Sequence, residues 1–137
     1  MATFNKFNSF PEALAEKVHN LASDQLVVAL CATANAPVAT NSVLADLVQI
    51  AYTNLSTRNI VTGSSAQSGG VYKLVLNDLV LTASGAVAAF QYVVVYNDTA
   101  LNKELICWYN HGTAITLANG ETFTINFDGT NGLFTLG

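Results

Sequence analysis

The stretch YVVVYNDTALNKELICWYNHGTAITLANGETFTINFDGTNGLFTLG, Tyr92 to Gly137, decides the fold. It breaks into short β-like runs: YVVVY, ELICWY, TAITLA, ETFTINF and a final LFTLG. Turn formers separate them. Asn119-Gly120 tolerates the positive φ angles of a two-residue turn, so the spacing predicts a hairpin between TAITLA and ETFTINF. Phe123, Ile125 and Phe127 alternate with Thr122, Thr124 and Asn126, the pattern of a strand with one buried face. Only five residues of the stretch are charged, Asp98, Lys103, Glu104, Glu121 and Asp128. A segment so rich in β-formers and so poor in charge either closes on a core or docks on a neighbour.

The same reading extends upstream. AVAAFQYVVVY forms a long central strand after a turn at Ser84-Gly85. Tyr72, Leu74 and Leu76 alternate with Val71, Lys73 and Val75. QLVVALCAT, Gln25 to Thr33, is short, apolar and rich in β-branched residues, as a buried strand is. Ala34 to Thr40, with Pro37, reads as a loop. Ser42 to Ile50 fits either a short helix or an irregular strand. Tyr52 to Gly70 is mostly polar and reads as a long surface connection with one strand at Arg58 to Thr62.

One helix is expected over residues 9–22. Ser9 and Glu12 fit a capping box, Pro11 sits in the first turn, and Phe10, Leu14, Val18 and Leu21 share a face. No helix separates the later strands, so parallel β-α-β units are excluded. The expectation is a mainly β chain: an antiparallel β-sandwich or jelly-roll-like barrel with one N-terminal α-helix. It forms one domain over 1–137, with an arm at 1–8, the helix, and a β-rich body from 25 onward.

Composition narrows the function. Of the 137 residues, 51% are hydrophobic and 10% charged, well under the usual charged share of roughly a quarter. That balance excludes ordinary disorder and leaves Asn, Thr and Ser to coat the surface. The net charge is −4, and Lys6, Lys17, Arg58, Lys73 and Lys103 are scattered. Phosphate neutralisation, and with it nucleic-acid binding, is therefore not expected. Apolar runs such as Leu26–Ala32 fall short of the roughly 18 residues of a membrane span. The start, MATFNKFNSF, lacks a signal-like apolar core, which implies synthesis in the cytosol. Cys31 and Cys107 both lie in apolar runs and read as buried thiols.

Catalytic and metal constellations are weak. His19 falls on the expected helix, and His111 in an expected turn, Asn110-His111-Gly112. Cys107 precedes His111 by four positions, yet its apolar setting offers nothing to favour a thiolate. No cluster of Cys and His has zinc spacing, no loop has calcium-site acidity, and Gly63-Ser64-Ser65 lacks the ending of a phosphate loop. No enzyme activity, cofactor or metal is expected. The aromatics carry more. Tyr92, Val94 and Tyr96 share one face of their strand, and Trp108 and Tyr109 point to opposite faces of theirs. Trp and Tyr are favoured anchors at interfaces.

These residues resemble a family. Tyr96-Asn97-Asp98-Thr99, Leu105-Ile106, Gly112, Asn119-Gly120, the Phe/Ile strand and Asn131 to Phe134 together look like the C-terminal half of small virion proteins of tailed bacteriophages, many of which resemble capsid decoration or cement proteins. The resemblance implies a non-enzymatic protein on the capsid surface. Its partners would be the major capsid protein and its own copies, as a dimer or trimer. Docking would fall to the arm with Phe4 and Phe7, to Arg58 in the long connection, to exposed edge strands, and to Tyr92, Tyr96, Trp108 and Tyr109. Two other readings stand beside it: a tail or head-fibre component, and a β-sandwich carbohydrate-binding module.

Overall fold

The computed structural model describes residues 2–137. In chain order the first elements are β1 (Phe4–Lys6), α1 (Phe10–Ala15), β2 (Leu26–Cys31) and β3 (Thr62–Ser68). Then come β4 (Val71–Leu76), β5 (Leu79–Thr82), β6 (Val87–Asn97), β7 (Leu105–Leu117), β8 (Thr122–Ile125) and β9 (Phe134–Leu136). The fold is mainly β, and every strand pairing is antiparallel. One sheet runs β1-β7-β6-β2. Facing it are a three-stranded sheet, β3-β4-β9, and the pair β5-β8. The layers make a sandwich-like arrangement.

The main core lies between them. Val28, Phe90, Val95 and Ile106 from the large sheet meet Leu74, Leu76, Leu81 and Ile125 from the smaller ones. A second apolar cluster covers the other face of the large sheet. There Val27, Ala29, Cys31, Val94, Tyr96 and Leu105 lie beneath Phe7, with Leu44, Leu47 and Trp108 packed around them. Residues 92–96 alternate between the two clusters as their sequence suggests, but both faces are buried. The same holds for β2, all six of whose residues are buried. A strand covered on both sides has no polar face to show, which is why its sequence has no period.

Being at the end of its sheet, β2 has an open ladder that a buried strand cannot leave unpaired. Segment 50–60 closes it. Val28 N–H donates to Arg58 O (3.0 Å), Ile60 N–H to Leu26 O (2.9 Å) and Ile50 N–H to Leu30 O (3.0 Å). Side chains finish the seal. Arg58 Nη1 donates to Val28 O at 2.6 Å, and Leu30 N–H donates to Tyr52 Oη at 2.9 Å. The guanidinium also sits 3.6 Å above the Tyr52 ring, a cation–π contact.

Several expectations are corrected. Helix α1 stops at Ala15, not near residue 22. Lys17 takes φ +67 and Val18 N–H reaches back to Ala13 O (2.9 Å), the left-handed stop common at helix ends. Ser9 has helical dihedrals and makes no side-chain cap bond, so there is no capping box. The arm is not free, because residues 4–6 pair with β7. Strand β7 runs straight through Asn110-His111-Gly112, which is a bulge with Gly112 at φ +95 rather than a turn. Asn119-Gly120 does turn the chain, but no hairpin results: β8 pairs with β5. Only Gly120, the second of the two central residues, has positive φ (+85), as in a type II turn, whose twist splays the flanking strands. The two-residue hairpin of that kind is Gly69-Gly70, at φ +60 and +86, joining β3 to β4. Between Ser42 and Ile50 the chain makes a 3₁₀ turn at Leu44–Asp46, where the Asp46 carboxylate accepts Ser42 and Val43 N–H.

Arg58→Ala leaves the buried Val28 carbonyl without its side-chain donor. It is expected to lower unfolding free energy by about 1–3 kcal/mol, read from urea midpoints. An unchanged midpoint would show that the seal does not depend on the guanidinium.

Candidate functional site

The seven residues expected to meet a partner separate into three groups. Phe7 is fully buried, its ring 4.6 Å from that of Trp108, and Tyr96 is buried in the same cluster. Both are core residues, and the expectation of direct partner contact is corrected for them. Arg58 is half-buried, with its guanidinium turned inward onto β2. Phe4, Tyr92, Trp108 and Tyr109 are half-buried and keep part of their surface. Phe4 meets Tyr109 edge-on at 6.1 Å, on the face opposite to Trp108. The aromatics therefore form no single patch.

Cys107 is fully buried in the main core, and burial pushes its thiol up, away from the thiolate. A nucleophile must reach substrate as a thiolate, so the Cys107–His111 reading falls. Cys31 lies in the outer cluster, across the sheet from Cys107, and both are free thiols.

A buried polar network ties the helix-to-β2 connection to the turn after β6. Asn97 is fully buried. Its Oδ1 accepts Thr99 and Ala100 N–H, which fixes its orientation. Its Nδ2 then donates to Asp24 Oδ2 (2.6 Å) and faces His19 Nδ1 (2.9 Å). An amide nitrogen can only donate, so Nδ1 accepts and the neutral ring carries its proton on Nε2. His19 Nε2 and Glu104 Oε2 are both buried with no partner among the described residues. Burial lowers the His19 pKa, and the charges of Glu104 and Asp24 only partly oppose that.

The β3-β4-β9 sheet ends in an unguarded edge at β3. Sequence reading misses β3 because TGSSAQS is small and polar; the Gly69-Gly70 pair ahead of VYKLVL was the available signal. Ser64 pairs with Val75, Ala66 with Lys73 and Ser68 with Val71. Ser64, Ala66, Ser68, Val71, Lys73 and Thr135 line an outer depression. Its one charged group among the described residues, Lys73, is occupied by Thr130 O at 3.0 Å. All of β3 is exposed except Thr62 and Ser65, which are half-buried. Among the described residues no strand pairs with its far side. Edge strands are ordinarily guarded by Lys, Pro or inward charges; TGSSAQS has none of these.

No protein-family model, characterised protein or solved structure matches the chain.

The network predicts a pH dependence. With a lowered folded-state pKa, His19 binds its proton more readily in the unfolded chain. Its contribution to stability is therefore complete above the ordinary His pKa, about 6.5, and is lost as pH falls through that value toward the folded one. Urea midpoints should drop between neutral pH and the onset of carboxylate titration, and drop less in His19→Gln. Equal slopes in the two proteins would rule out His19 as the source.

Proposed function

We propose that this chain is a structural, non-enzymatic virion protein that binds the outside of a bacteriophage capsid as a cement protein, and that it works as a dimer. The observation supporting this is the free edge of β3. A cement protein needs grip, not chemistry, and an open ladder offers main-chain hydrogen bonds to any strand that fits. A two-fold pairing of β3 with β3 of a second copy would bring identical sequences face to face. Any charge on that strand would then meet its like. TGSSAQS has no charge to repel itself and no proline to interrupt the ladder.

Such a dimer carries two copies of each shell-facing surface. Simultaneous engagement of neighbouring shell subunits then multiplies weak contacts without requiring a large one. The resemblance of residues 92–136 to phage virion proteins supplies the shell as partner. The scarcity of basic residues fits a protein that meets the shell and not the packaged nucleic acid.

Two measurements test the reading. Purified protein added to capsids lacking it should bind at a saturable ratio and raise the temperature at which they rupture; protein left in solution sinks the cement role. Separately, Ser64→Lys/Ser68→Lys sets like charges along both copies of the edge. Sedimentation should show the unaltered chain as a dimer and this variant as a monomer. Both sites are exposed, so folding stability should move by no more than about 0.5 kcal/mol per site. A variant that stays dimeric places the contact elsewhere.

A further inference from the structure

Strand β7 carries a second feature that docking through β3 does not use. Its span Asn110–Ile115 faces only Phe90–Tyr92 of β6, so the extra backbone bulges outward. The bulge is held in place. Asn110 Oδ1 accepts Gly112 N–H at 2.8 Å and Gln91 Nε2 at 3.0 Å, and Gly112 supplies φ +95. Bulges of this kind re-aim side chains beside binding sites. Here the His111 ring stands edge-on to Phe123, 5.5 Å away at 87°. Phe123 is itself braced edge-on against buried Phe90 at 5.6 Å.

Tyr109, His111 and Phe123 line a cavity of about 180 Å³, with buried Val93 and Ile125 also in its wall and Asn126 among its polar lining. Among the described residues no Lys, Arg, Asp or Glu lines it. The polar groups there have spare capacity. The hydroxyls of Tyr52 and Tyr72 are hydrogen-bonded within the chain, whereas that of Tyr109 is paired with no described residue. Asn126 Oδ1 accepts Asp128 N–H at 2.8 Å, which leaves its amide N–H groups to donate outward.

We infer that this cavity is a binding site for one neutral sugar ring, a pyranose. Aromatic walls and an aliphatic backing suit the apolar C–H face of such a ring. The Tyr109 hydroxyl and the Asn126 amide suit its hydroxyls. An uncharged lining disfavours charged ligands, which would be desolvated without a counter-charge. The volume lies below the roughly 300–1,000 Å³ of pockets for larger ligands, so it takes one ring and not a chain. The site is independent of the proposed dimer edge, since β3 contributes no residue to it.

The test is an NMR titration of the full chain with methyl pyranosides of glucose, galactose, mannose and N-acetylglucosamine. At least one should give saturable shifts centred on Tyr109, His111, Phe123 and Asn126. His111 and Asn126 are exposed, so His111→Ala and Asn126→Ala should fold. Each should weaken binding about tenfold, as loss of one ring contact or hydrogen bond does. Absence of saturable shifts with every sugar overturns the inference, as does undiminished affinity in both variants. Saturation by phenol but by no sugar would assign the cavity to aromatic ligands and overturn the sugar class. None of these outcomes bears on capsid binding.

Discussion

The outer edge of β2 must be closed, and much of the rest follows from that requirement. Leu26, Val28 and Leu30 direct backbone groups away from β6 while being buried. Water cannot reach those groups, so each must find a partner inside the chain. A fifth full strand would have served. The sequence instead uses segment 50–60, with single backbone bonds at intervals and two long side chains between them. Tyr52 is a good choice because one hydroxyl accepts from Leu30 N–H and donates to Gln49 Oε1 (2.6 Å). Arg58 reaches a carbonyl that no neighbouring backbone N–H satisfies. The central segment thus has a structural duty before it has any surface duty.

That duty determines where function can sit. Both faces of the large sheet are used up, one against the opposing layer and one beneath Phe7, Leu44 and Leu47. Binding is left to the periphery: the smaller sheet with its open edge, and the far end of β7 where the strand outgrows its partner. In both places the backbone departs from regular pairing. At β3 the ladder simply ends, and at β7 it is interrupted by a bulge. Interior positions carry the energy of the fold, while these two irregular margins keep unspent hydrogen-bonding capacity.

What could be read in advance follows the same division. The alternation of residues 92–96, the split of Trp108 from Tyr109, and the apolar run of β2 were legible because side-chain period is a local property. Connectivity was not. ELICWY and TAITLA are one strand of 13 residues, since a Gly in a strand marks a bulge as readily as a turn. Asn119-Gly120 joins strands that pair elsewhere, because the partner of a strand is chosen by the whole sheet and not by its turn. Phe7 looked like part of a free arm, and nothing nearby in sequence reveals that Trp108 lies 4.6 Å from it. The small side chains of β3 concealed a strand that is held by its ladder and not by its packing.

The contrast between the β2 edge and the β3 edge is the strongest argument that β3 is meant to be covered. One chain treats them in opposite ways. At β2 the edge is closed by a cation, a phenol, a glutamine and three backbone bonds. At β3, the edge of the opposing layer, there is no lysine and no proline, and no described segment bonds to its outer ladder. Its one irregularity, the shift between Thr62 and Ser64, comes at its start and leaves the remainder straight. An edge needs no guard if it is only transiently free. An unguarded edge is a hazard for a protein that lives alone and an asset for one that lives in an assembly.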